Sequence, residues 1–155
     1  MDIHAQHVSS GTGLSGSYTG VVHKLIDVPA RDVWHVKPDI EGWINSAAQG
    51  SSYFTADEVW DAIKTGKAQL WVVWGNEPDA VCVTQLTDTS KGKYCSIWIM
   101  VGSGMVDWLP LVDQLEAWAK REGCNMMRHE ARPGWSKALK QRGYHMPHVI
   151  LEKEL

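Results

Sequence analysis

The chain has one phenylalanine, no paired C-x-x-C cysteines, no block of basic residues and no long apolar run. Each shortage excludes something. Cys82, Cys95 and Cys124 are odd in number and widely spaced, so neither a disulfide framework nor a zinc ribbon is expected, and no metal site is assigned. They read as reduced thiols of the kind found in a cytosolic compartment. Acids and bases are interspersed at a net charge of −3, which argues against a nucleic-acid or anionic-lipid surface. No stretch approaches the ~18–20 apolar residues of a spanning helix. The first residues lack the apolar core of a signal peptide. A length of 155 residues suits one domain with its own core. What the chain has in excess is tryptophan, nine against the single phenylalanine. Most of these indoles are expected in the core, with a minority at a partner surface.

Residues 1–18 are rich in Gly and Ser and poor in apolar side chains. Such a segment buries too little surface to offset its ordering entropy and is expected to be a flexible arm. The folded domain is then expected over residues 19–155.

Within the domain, residues 21–26 are β-branched and apolar and predict a strand. A helical turn is expected at Val33 and Trp34, interrupted by Pro38. A second helix follows, with Ile40, Trp43, Ile44 and Ala47 on one face. Thr55-Ala56-Asp57-Glu58 is a capping box opening a helix whose buried face is Val59, Trp60 and Ile63. Three strands joined by short turns come next, at 69–74, 80–87 and 94–101, and are expected to pair antiparallel. In the last of them Ile97, Ile99 and Val101 are expected on one face, and Trp98 and Met100 on the other. Trp108, Leu111, Val112, Leu115, Trp118 and Ala119 form the stripe of the longest helix, with Asp107 as candidate N-cap and Pro110 in its first turn. A short strand at 125–131, a proline-started helix at 133–141 and a last strand at 149–152 complete the order. The strands flanking the long helix are expected to run parallel.

This β-α-α-β-β-β-α-β-α-β order, with the phrase Gly134-Trp135-Ser136-Lys137-Ala138-Leu139-Lys140-Gln141-Arg142-Gly143-Tyr144, resembles the GNAT superfamily of acyl-CoA N-acyltransferases. The resemblance implies an α/β fold with a mixed central sheet flanked by helices. The wording of Ile26-Asp27-Val28-Pro29-Ala30, Gln69-Leu70-Trp71-Val72, Trp118-Ala119, Gly123-Cys124 and Arg132-Pro133-Gly134-Trp135 also resembles GNAT-like proteins associated with tailed-bacteriophage virions. That second resemblance implies a non-enzymatic structural or assembly protein. It would bind other virion proteins through residues 1–18, reside in the virion or host cytoplasm, and need no cofactor.

The alternative implied by the superfamily is an acetyl-CoA-dependent N-acetyltransferase. The pantetheine arm would then lie between residues 94–101 and 125–131. The pyrophosphate would meet the backbone of Gly102, Ser103, Gly104 and Met105, where a helix N-terminus favours anions. Members usually open this loop with Arg or Gln. Here no such residue does, and Asp107 follows. Where members often place a proton-donating Tyr in the last helix stands Leu139. Glu130, beside His129, is the nearest substitute for a general base. The pair Arg128 and Arg132 is expected to be solvated or salt-bridged, and His145 and His148 lie in a proline loop.

Overall fold

The computed structural model describes residues 4–7, 21–104 and 109–155, with the side chains of 4–7 left aside. Six strands form one sheet in sequence order: β1 His4–His7, β2 Lys24–Val28, β3 Gln69–Trp74, β4 Pro78–Thr89, β5 Gly92–Gly102 and β6 Met126–His129. All neighbours are antiparallel except β5 and β6, which run parallel as expected for strands joined through a helix. Helices α1 Val33–Gln49 and α2 Ala56–Lys64 cover one face. Helices α3 Val112–Arg121 and α4 Pro133–Lys140 cover the other.

The first face is built from Val33, Val36, Ile40 and Ile44 of α1 and Val59, Trp60 and Ile63 of α2, set on Leu70, Val72, Val81, Val83 and Ile99. The second sets Leu111, Val112, Leu115 and Leu139 on Leu25, Trp71, Val73, Cys82 and Ile97. Thr55 caps α2 as its sequence demands: its hydroxyl oxygen accepts the Glu58 N–H at 3.2 Å. Trp118 stands edge-on to Trp71 with centroids 4.8 Å apart, and both Trp118 and Trp135 pack on the second cluster.

Several expectations fail, each for a physical reason. Pro38 does not interrupt a helix but lies within α1. Proline in a helix interior costs about 3 kcal/mol. Its ring is exposed, while the buried stripe Val33–Val36–Ile40–Ile44 runs past it unbroken, so the packing of that stripe outweighs the missing N–H. The long helix starts later than its stripe suggests. Pro110 sits in a single 3-10 turn, Leu109–Leu111, ahead of α3. Trp108 and Asp107, the proposed cap, lie outside the described residues. The strand expected at 149–152 does not form, because no neighbouring edge pairs with it. Every residue from 145 to 155 is exposed. At the other end, His4–His7 pairs with Lys24–Asp27 in register, so four residues of the expected arm join the sheet. The boundary drawn at 18/19 lies outside the described residues.

Candidate functional site

The site begins with a bulge. Val83 pairs with Ile99 and Thr84 with Ile97, which leaves Trp98 as an extra residue in β5. A bulge resets which side chains face which side. Ile97 therefore enters the α3/α4 cluster while Ile99 enters the α1/α2 cluster, and the expected sharing of one face is overturned. Trp98 turns toward the α1–α2 loop and meets Phe54 edge-on, centroids 5.1 Å apart.

The same irregularity ends the pairing with β6. The parallel ladder runs from Tyr94–Met126 to Ile97–His129 and stops, although β5 continues five residues further, to Gly102. Beyond Ile97 no further β5–β6 pair forms among the described residues. The main chain of β5 from Trp98 onward has no strand partner on that side among the described residues. This unpaired stretch of β5, the wedge, has Trp98 against Phe54 at its start and residues 129–131 continuing from the end of β6.

At the end of this stretch of β5 lies the glycine loop. A Cβ on Gly102 would stand 2.3 Å from the Ala80 Cβ and 2.4 Å from the Asp79 carbonyl oxygen. Glycine is needed there for β5 to close on the start of β4. The Ser103 N–H donates to the Asp79 carbonyl at 2.9 Å, so one donor of the expected anion cradle is already engaged. Gly104 has φ +66, a left-handed conformation that suits glycine. Met105 lies outside the described residues. Beside the loop, His23 Nε2 and Asp79 Oδ2 are 3.1 Å apart and largely buried. Sequence reasoning did not foresee this pair, since nothing local links positions 56 residues apart. It adds an acidic group where phosphate recognition calls for a base.

Glu130 and His129, neighbours in sequence, are not brought together. His129 shares the side of Ile97 and meets Trp135 edge-on at 6.1 Å. Burial lowers its pKa to about 4, so it is neutral, and its Nδ1 is buried without a hydrogen-bond partner. Glu130 emerges on the α1/α2 side. There it is exposed and accepts from Arg128 Nη2 at 3.2 Å. The Tyr53 phenol lies nearby and donates to Glu152 Oε1 at 2.6 Å. That bond, then slight burial, then the charges of Glu152 and Glu130 raise the phenol above its ordinary pKa. Arg132 reaches toward the C-terminal end of α1, where its Nη2 lies 3.4 Å from the position a Gly50 Cβ would occupy. A cation is favoured by the helix dipole there.

Leu139 is fully packed, as its place in the stripe requires. Tyr144, just past α4, packs on the second cluster as well. Its hydroxyl is buried without a partner, and its pKa is raised, first by burial and then by Glu116. Among the described residues no group of three or more His, Cys, Asp or Glu stands close enough to hold a metal ion.

No protein-family model matches the sequence, and no curated protein is similar to it. Solved structures are. A putative acetyl transferase from Pyrococcus furiosus superposes with a TM-score of 0.65 at 15% identity, over 86% of this chain and 99% of that one. Glucosamine-6-phosphate N-acetyltransferase from Arabidopsis thaliana gives 0.61 at 15% identity, over 86% and 98%. An aminoglycoside acetyltransferase from an uncultured soil metagenomic sample, in complex with sisomicin, gives 0.60 at 11% identity, over 86% and 96%. The chain has the acyl-CoA N-acyltransferase (GNAT) fold.

Proposed function

We propose that the protein is a divergent acyl-CoA-dependent N-acyltransferase whose donor lies in the wedge between β5 and β6. The observation that carries this reading is the end of the β5–β6 ladder at Ile97–His129, next to the Trp98 bulge. It leaves extended main chain of β5 without a ladder partner on that side among the described residues, which is what an amide-bearing arm requires.

An acyl thioester held there supplies an activated acyl carbon. The main chain of β5 beyond Trp98 aligns the arm, and its N–H groups polarise the thioester carbonyl. An amine enters from the α1–α2 side, past Tyr53 and Phe54. Glu130, exposed on that side, takes the amine proton as the nitrogen bonds to the acyl carbon; the C–S bond then breaks and the thiolate leaves with the donor, protonated from solvent. The wedge fits the arm better than the loop fits the phosphates. The Ser103 N–H is committed to the Asp79 carbonyl, and beside the loop the Asp79 carboxylate lies 3.1 Å from His23 Nε2. The expected dissociation constant for acetyl-CoA is therefore no tighter than about 100 μM, roughly −5.5 kcal/mol.

A thermal shift with millimolar acetyl-CoA tests the reading. At millimolar donor and a Kd of about 100 μM, roughly a tenfold excess, binding to the folded state alone stabilises by about 1.4 kcal/mol. Gly104→Val, strained at its left-handed φ, should remove the shift. Glu130→Gln should keep it but slow acyl transfer to an amine about a hundredfold. No shift at millimolar donor ends the proposal.

The second reading is a protein-binding scaffold without turnover. One observation favours it: Val149, Ile150 and Leu151 stand exposed at 69%, 57% and 89%. A place in a phage virion rests on sequence wording alone. Loss of incorporation into particles on deleting residues 2–17 would support it.

A further inference from the structure

The sheet ends at β6 with an open edge. Among the described residues its only partner is β5. Alongside it, between β6 and α3, runs a groove of about 380 Å³ lined by Ala117, Cys124, Met126 and Met127 together with the polar Glu116, Lys120 and Asn125. Met126 is 58% exposed, and Lys120 makes no ion pair among the described residues. An unpaired strand edge beside a partly apolar groove is the requirement for strand addition: the main chain supplies affinity, and alternate side chains fill the groove.

The same chain carries a segment that fits. Residues 149–151 are Val-Ile-Leu, exposed and unpaired, followed by Glu152-Lys153-Glu154. In extended form Val149 and Leu151 point to one side together. Lys120 in the groove lining offers a partner to the Glu152 and Glu154 carboxylates, while Glu116 of the same lining opposes them, so the apolar side chains and the strand edge carry the fit. The segment does not fill the groove of its own chain. Tyr144 is held in the α3/α4 layer, whereas Glu152 is bonded to Tyr53 on the loop of the α1/α2 layer. The seven residues between them are used in passing from one face of the sheet to the other. The Tyr53–Glu152 bond, on an exposed side chain, is the one hydrogen bond that residues 145–155 make with the rest of the described chain.

We infer that residues 149–152 dock as an added strand on the open β6 edge of a second copy of this chain, with their apolar side chains in the α3–β6 groove. Each copy gives a segment and receives one, so the contact is isologous and closes as a dimer. Reciprocal docking doubles the surface that one segment buries, toward the roughly 1,200–2,000 Å² of stable interfaces. Docking gives up the Tyr53–Glu152 bond, one exposed hydrogen bond, in exchange for ladder bonds.

Sedimentation of the full chain over a range of concentrations tests this. The expected result is a reversible dimer. Ile150→Pro keeps an apolar side chain but removes the N–H a ladder needs, and should raise the dimer dissociation constant at least about tenfold. Removing residues 149–155 should give a monomer that still folds cooperatively, since that segment buries nothing within its own chain, with a melting temperature that no longer depends on protein concentration. Leu151→Cys should form a disulfide-linked dimer through the native Cys124 of the groove, and Cys124→Ser in the same chain should abolish it. A wild-type monomer at all concentrations overturns the inference. So does a dimer indifferent to Ile150→Pro and to the deletion, or a truncated chain that no longer folds. None of these outcomes depends on acyl-CoA binding.

Discussion

The two faces of the sheet are packed to different standards. Under α1 and α2 the buried surface is aliphatic and aromatic throughout, and the one buried group without a partner is Asp32 Oδ2 at the rim. Under α3 and α4 three buried polar atoms lack partners: Gln114 Oε1, His129 Nδ1 and the Tyr144 hydroxyl. Two thiols lie on that side as well. Burial raises Cys95 to about 12 and Cys82 further still. An unpaired buried polar atom costs about 1–3 kcal/mol. The first face holds the fold together. The second tolerates unpaired polarity beside the wedge where the β5–β6 ladder ends, and strained or unsatisfied groups concentrate where chemistry is done.

The largest expected effect tests whether the second face nevertheless has a rigid centre. Trp71 is fully buried, donates to Thr84 Oγ1 at 3.0 Å and braces Trp118. Thr84 in turn donates to Gln69 Oε1 at 3.0 Å. Trp71→Ala should destabilise by about 5 kcal/mol, at the top of the range for such truncations, because it opens a cavity and leaves Thr84 with one partner fewer. Ile44→Ala on the first face, with no polar partner to lose, should cost about 3 kcal/mol. Denaturant melts of the two variants compare them directly. A smaller loss for Trp71 would mean that the second face is loose throughout.

The next effect is a pH dependence. His129 has a folded-state pKa near 4 against the ordinary 6.5, because burial disfavours its charged form. The unfolded chain therefore binds the extra proton between those values. Stability is complete above pH 6.5, falls as pH drops toward 4, and gains no further loss from this group below that. The span corresponds to about 3 kcal/mol. His129→Leu should flatten the curve between pH 4 and 6.5. An unchanged slope would place the imidazole in water.

Much of this architecture is legible locally. Thr55 and Glu58 mark the start of α2 because capping is a contact between residues three apart. β3, β4 and β5 follow from apolar runs and the turns between them. What escapes is set by partners distant in sequence. The Trp98 bulge depends on the count of residues in β4 opposite, so Ile97 and Ile99 read as one face when each belongs to a different core. Pro38 reads as a stop, yet the stripe from Val33 to Ile44 holds the helix through it. Residues 149–152 have strand composition but no strand partner in their own chain. At the site, the glycines at 102 and 104 identify the loop. That Gly102 serves contact with Asp79 and Ala80, and that Ser103 is already engaged, emerges only when β4 and β5 are laid side by side. Neither His23 nor Asp79 carries a local sign of the other.

The smallest expected effect bears most directly on the contrast between the faces. The Tyr144 ring packs against the second cluster, and its hydroxyl is buried with neither donor nor acceptor. Tyr144→Phe removes the unsatisfied oxygen and keeps the ring. If the group is a mere packing compromise, the variant should be more stable by up to about 1 kcal/mol, with unchanged acyl transfer. Tyr94→Phe, on a half-buried β5 residue outside both clusters, controls for the general effect of losing a phenol. A gain in stability without loss of turnover confines the chemistry to the Glu130 side of the wedge. A gain in stability with lower turnover would show that the second face keeps its unpaired hydroxyl for the reaction, and the proton path would then run through both faces of the sheet.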